Sequence, residues 1–333
     1  MSTRSPGREG VPREYAAARS GAIVVERADR RVLRVGGRDP VRMLHGLITN
    51  DLAGAAENVC VYAAFLTPKG RMVADARLVR TGGAVLVETA AAAEQPLREH
   101  LRKYVPPLFA RVEDDAGLAV VGVYGPAARV LVAGPATGAG THAATPPIVL
   151  PPLEVPETEG TDILVPRADV QAMVGRLVAA GAVPGGLDTV ELLRIEAGLP
   201  AWGAELNDGV IPLEAGLKER AISTSKGCYT GQEVIVRILH RGHVNRLLRG
   251  LDLGTAPAPP TGAPVNVPGE ERTVGRVTSA AVSPGTGRTL ALAYVRREVP
   301  VGAPVEVTGV PATVLEVPGW AGERGDAGTG AAE

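Results

Sequence analysis

The feature that most constrains this chain is a change of pattern at Arg246. Beyond it, short apolar segments (LLRGLDL, PVNV, TVGRVTSAAV, TLALAYV, PVEV, ATVLEV) alternate with turns rich in Pro and Gly, and no helical periodicity recurs. Such a run, over 246–318, is expected to close into a small β-barrel. Upstream, helical and strand periodicities mix without a repeated strand-helix rhythm, which points to an α+β arrangement rather than a doubly wound sheet. A chain of 333 residues also exceeds what one core serves, so several domains are expected.

The 35 Lys and Arg nearly balance 36 Asp and Glu. A net charge of −1 gives no general footprint for a phosphate backbone or an anionic bilayer, so neither nucleic acid nor membrane is an expected partner. No apolar run is long enough to span a bilayer and no secretory signal is read at the start, so a cytoplasmic location is expected. The two cysteines, Cys60 and Cys228, exclude a disulfide framework and a single-chain four-cysteine site. No metal ligand set is assigned.

The expected division is a disordered arm at 1–20, an α+β region at 21–245, the barrel at 246–318 and a disordered tail at 319–333. The α+β region reads as two interleaved domains, with a meander-containing one near 52–130. Within it, RDPVRMLHGLITND opens a helix capped by Asp39, with Pro40 at its first position. VCVYAAFL, RMVADARLV and AVLVE, joined by TPKG and TGG, form an antiparallel meander, and EQPLREHLRKYV forms a helix.

Two segments carry candidate chemistry. In DTVELLRIEAGLP, Asp188 is expected to cap a helix that stops at Gly198, placing Glu196 in its last turn. A carboxylate there faces the negative end of the helix dipole, so it needs a positive or hydrogen-donating partner. A ligand with adjacent N–H donors, such as a pterin, is one such partner; the alternatives are an arginine of the chain or simple solvation. In KGCYTGQE, Thr230 and Glu233 have capping-box spacing, placing Cys228 just before a helix N-terminus and near Lys226, an environment that favours thiolate. The other reading is a packed, inert cysteine. Gly227 and Gly231 are expected to permit close backbone approach, and Cys60, in an apolar strand, reads as a packed residue.

Taken in order, LHGLITNDL, AFLTPKGRM, RIEAGLP and KGCYTGQE resemble the YgfZ/GcvT family, and KGCYTGQE its YgfZ branch, over roughly residues 22–318. The resemblance implies an aminomethyltransferase-like fold around a central folate channel. It further implies a tetrahydrofolate-type ligand and a role in assembly or repair of iron-sulfur clusters, with iron-sulfur enzymes or cluster-assembly proteins as partners and any cluster held only transiently. Carried onto this chain, Cys228 and Lys226 are the candidate catalytic residues, and Glu196, Arg194, Tyr229, Gln232 and Asn50 the candidate folate contacts. The aminomethyltransferases carry paired aspartates after the PKG-like turn. This chain has Ala74 beside Asp75, which argues that the transfer reaction has been lost. A one-carbon transferase and a non-enzymatic scaffold are the competing readings.

Overall fold

The computed structural model describes residues 10–113, 116–134, 148–156, 159–270 and 272–317. The tail expected at 319–333 and the first nine residues of the expected arm lie outside them. Three sheets organise the chain. Cys60–Leu66, Met72–Thr81, Ala84–Ala90, Arg30–Gly36 and Arg111–Val112 are neighbours, in that order, in one antiparallel sheet. Val183–Pro184, Ile23–Glu26, Leu118–Tyr124, Gly160–Pro166 and Ile148–Leu150 form a second, antiparallel except between its first two strands. Ile23–Glu26 and Arg30–Gly36, adjacent in the chain, enter different sheets. From Arg246 to Leu315 six strands close a barrel, so the α+β reading with a small C-terminal barrel holds. Among the described residues no helix is long and apolar enough to cross a membrane.

Local chemistry explains the meander. Gly82 and Gly83 take φ of 48° and 87° between paired Thr81 and Ala84, the left-handed pair that a two-residue hairpin turn demands. Asp39 accepts from the Arg42 amide and Pro40 opens the helix Pro40–His45, as expected. The helix Glu94–Tyr104 buries Leu97 and Leu101 against one face of the meander, in a core with Leu44, Phe65, Ala74, Ala76 and Leu78.

The other face meets the second sheet, and strand alternation sorts its side chains. Val32, Val79 and Leu86 pack on Val120, Leu150 and Leu164 at one end. At the other end the same faces carry Arg30, Asp75, Arg77 and Glu88 opposite Tyr124 and Asp162, all buried. Arg77 donates to Glu88 at 2.7 Å and to Asp162 at 2.6 Å, while Arg30 pairs with Glu88. Arg27 donates to Glu154 and to the Tyr124 hydroxyl, which donates to Asp162 at 2.7 Å.

This network sets an acid limit on stability. Burial alone would raise the Glu88 carboxyl, but Arg30 and Arg77 overcome it and hold it at about 2. That lies below the roughly 4.3 of an unfolded glutamate, so the stabilisation is complete above that pH and is lost as pH falls through about 2. Calorimetric melting temperature should therefore drop progressively below about pH 4.3, and the acid limb should flatten in Glu88→Gln. A melting temperature constant down to pH 2 would contradict this assignment.

Two expectations are corrected. Residues 11–20 of the arm form a helix, Val11–Ser20, which packs beside Leu187–Ala197 with Glu14 buried. The latter helix starts behind Gly186 rather than Asp188, which lies in its first turn without capping. Glu14 fills that role from a distance, accepting from the Gly186 amide at 2.9 Å and from the Thr189 hydroxyl. A cap supplied 172 positions away leaves no local pattern to read.

Candidate functional site

Two of the other three motifs converge on the segment KGCYTGQE. The Lys226 ammonium donates to the carbonyl oxygens of His45, Ile48 and Asn50 at 2.6, 2.7 and 3.2 Å, which uses all three of its N–H groups. Burial draws its pKa down to about 8. The Thr230 amide donates to Gly46 and the Ser223 amide to Thr49, so residues 223–230 are sewn to LHGLITN. From the other side, the TPKG turn closes on the helix Gln232–Arg241. A Cβ on Gly70 would lie 2.8 Å from Cβ of Val234, and one on Gly231 would lie 2.5 Å from the Thr67 carbonyl oxygen.

Inside this frame Cys228 is exposed, while Cys60 is half-buried against the inter-sheet core. The thiol thus rides on a loop whose neighbours are anchored. The capping box expected from Thr230 does not form, because Gly231, at φ 83°, is the residue that precedes the helix. Instead the Gln232 side-chain oxygen accepts from the Tyr229 amide at 3.1 Å. Gly231 makes the close approach expected of it, whereas a Cβ on Gly227 would meet nothing within 4 Å. Lys226 keeps no N–H for a thiol or substrate, so it acts as an anchor rather than a catalytic group.

The candidate folate contacts separate. Asn50 donates to the Tyr62 carbonyl and accepts from the Asp51 amide, and Tyr229 is packed in the core beneath Lys226. Arg194 is wholly buried at the other end of the site, and its five N–H groups all have partners. They reach Glu191 twice, the Leu199 carbonyl, Glu205 and Ser279, so the expected contact with folate is corrected to a structural tie between the helix Leu187–Ala197 and the barrel. Glu196 does sit in the last turn, before Gly198 at φ 68°. Its carboxylate accepts from Tyr15 at 3.0 and 3.1 Å and pairs with Arg19, both on the helix Val11–Ser20. An arginine of the chain is therefore the partner this carboxylate has found.

Sequence reasoning missed the surroundings of Asp75. The Tyr62 hydroxyl donates to Asp75 Oδ2 at 3.0 Å, and the Arg220 guanidinium lies over the Tyr62 ring, 5.4 Å from its centre. Asp75 Oδ1 and Arg77 Nη2 are buried and without a hydrogen-bond partner among the described residues. Burial raises the Asp75 carboxyl, opposed by Arg30 and by the Tyr62 hydrogen bond. The available signal was two charged residues two apart in MVADARLV, which places both on one face of a strand apolar on its other face. Ala74 points to that other face, into the core with Phe65 and Leu78. Asp75 is thus the position of the pair that faces the polar interior.

Comparison with known proteins agrees with this architecture. Residues 3–146 match the family model of the GCVT N-terminal domain, and residues 246–318 that of the glycine cleavage T-protein C-terminal barrel domain. An aminomethyltransferase of Rubrobacter xylanophilus is 30% identical, over 97% of this chain and 89% of its own length. One from Symbiobacterium thermophilum is 30% identical over 92% of this chain and 88% of its own. The crystal structure of glycine cleavage system aminomethyltransferase T from Bartonella henselae superposes with a TM-score of 0.81 at 20% identity, covering 94% of this chain and 90% of that one. The chain belongs to the GcvT-like aminomethyltransferase family.

Proposed function

We propose that this protein is a YgfZ-type member of its family, which binds a reduced folate and supports assembly or repair of iron-sulfur clusters through Cys228. The observation that carries the reading is the exposed thiol on a loop pinned by LHGLITN on one side and TPKG on the other. A packed, inert cysteine would need neither exposure nor such a frame. With two cysteines in the chain, one of them half-buried, Cys228 engages a sulfur species, a partner thiol or a cluster whose remaining ligands come from elsewhere.

The proposed folate site is the polar end of the inter-sheet space. A pterin offers N–H donors and a carbonyl, complementary to the unmet Asp75 acceptor and Arg77 donor, and its chemistry when bound is to carry one-carbon units. Asp75 and Tyr62 would orient the ring, and Arg220 would cover it. Glu196 can join only by exchanging Tyr15 and Arg19 for the ligand. If it does, Arg19→Ala should tighten tetrahydrofolate binding several-fold and Glu196→Ala should weaken it, read by titration calorimetry. No change in either variant would leave Asp75 as the acid that holds the pterin.

The deciding experiment complements a deletion strain with wild type or Cys228→Ala and assays several iron-sulfur enzymes. The variant should leave their activities at the deletion level, and full rescue would remove the thiol from the reading. A second reading, aminomethyl transfer to tetrahydrofolate, gains from Asp75, because the interior-facing member of the pair remains. Turnover of an aminomethylated carrier, abolished in Asp75→Asn, would establish it.

A further inference from the structure

We propose that a cleft between the TPKGR turn and the barrel rim binds a small oxyanion carrying two or more negative charges. The cavity is about 630 Å³ and is lined by Arg71, Arg246, Arg296 and Arg297, with Glu214 and Glu298 as its acids. Four cations against two anions leave a local surplus of two, in a chain whose net charge is −1.

Partners show where the surplus rests. Glu214 is buried and is taken by Arg246, whose Nε and Nη2 donate to it at 3.2 and 3.1 Å while its guanidinium stacks over Tyr294, 4.6 Å from the ring centre. Glu298 is shared by Arg296 and Arg272 at 3.6 and 3.4 Å. Arg71 and Arg297 have no carboxylate partner among the described residues. Moreover, Arg71 and Arg246 both donate to a single carbonyl oxygen, that of Gly209. Two guanidinium groups converging on one neutral acceptor repel each other, and an anion between them reverses the sign of that interaction. Their planar donor forks match phosphate and carboxylate oxygens alike, so the two share one recognition chemistry. The site is a cleft rather than an extended basic stripe, which suits a small molecule and not a nucleic-acid backbone.

Titration calorimetry on the full chain, with pyrophosphate and with citrate at ionic strength matched by sodium chloride, tests the site. Saturable one-to-one binding of at least one probe is expected, weakened about tenfold or more in Arg71→Gln/Arg297→Gln. Arg98→Gln, in a different arginine-bearing cavity, should leave it unchanged. Pyrophosphate alone would identify a phosphate-bearing ligand, citrate alone a polycarboxylate, and both a site that reads charge. Arg297→Gln alone repeats the test should the double variant lose its native circular dichroism, since this exposed side chain has no ion pair to lose among the described residues. Binding of neither probe, or equal weakening in Arg98→Gln, would overturn the proposal. The readout is independent of folate and of Cys228, so its failure would leave the reading of the main site untouched.

Discussion

Arg77→Met is expected to cost about 3–5 kcal/mol of folding free energy, the cost of breaking a buried pair by removing one partner. Arg77 is fully buried and donates to Glu88, to Asp162 and to the Pro151 carbonyl, thereby joining the two α+β sheets. Methionine fills much of the volume and supplies no charge. Glu88 would retain Arg30, but among the described residues Asp162 would keep only the Tyr124 hydroxyl as a donor to its carboxylate. Denaturant unfolding of the variant should show the loss as a lower midpoint with an unchanged slope. Arg237→Met supplies the contrast, because its pairing with Glu233 is an exposed one four residues along a helix and should contribute little. Equal losses in both variants would mean that the inter-sheet network is not what holds these sheets together.

The network also marks the boundary of what the sequence makes legible. Period-two alternation and Gly-Gly, Pro and Asp punctuation reveal the meander, the barrel and the helix at Pro40, because those signals act within a few residues of the structure they specify. Glu14 caps Gly186 from 172 positions away and Ser279 meets Arg194 across 85, so local propensity points to Asp188 for the first and the family resemblance to a folate for the second. The helix at Val11–Ser20 leaves little local signal for a related reason. Its sequence is polar and Ala-rich, and it gains its stability from docking Glu14, Tyr15 and Ala18 rather than from a strong apolar face. At the site, KGCYTGQE is legible as a string with Cys228 as its candidate reactive residue, while the exposure of the thiol comes from the fold. The division of labour within the string is not legible, since Gly227 and Gly231 are one residue type and differ only in what they touch.

That division yields the second large effect, on two glycines of one motif. Gly231→Ala should destabilise by about 2–4 kcal/mol, combining a left-handed backbone penalty of roughly 1–2 kcal/mol with displacement of the Thr67 carbonyl. The carbonyl is 2.5 Å from the new Cβ, belongs to the TPKG turn and already accepts from the Gly70 amide, so it has little freedom to yield. Gly227→Ala, one residue before the cysteine, meets open space at a backbone angle outside the left-handed region and should change stability by no more than about 0.5 kcal/mol. The functional consequence separates pedestal from thiol. Gly231→Ala should increase the solvent exchange of amides 45–50 and 223–231, since the same strain loosens the loop that Lys226 clamps, and iron-sulfur enzyme activity in the complemented strain should fall with it. Gly227→Ala should leave both unchanged. If Gly231→Ala loosened the loop yet sustained full client activity, Cys228 would act through exposure alone, and the convergence of LHGLITN and TPKG on it would serve folding rather than function.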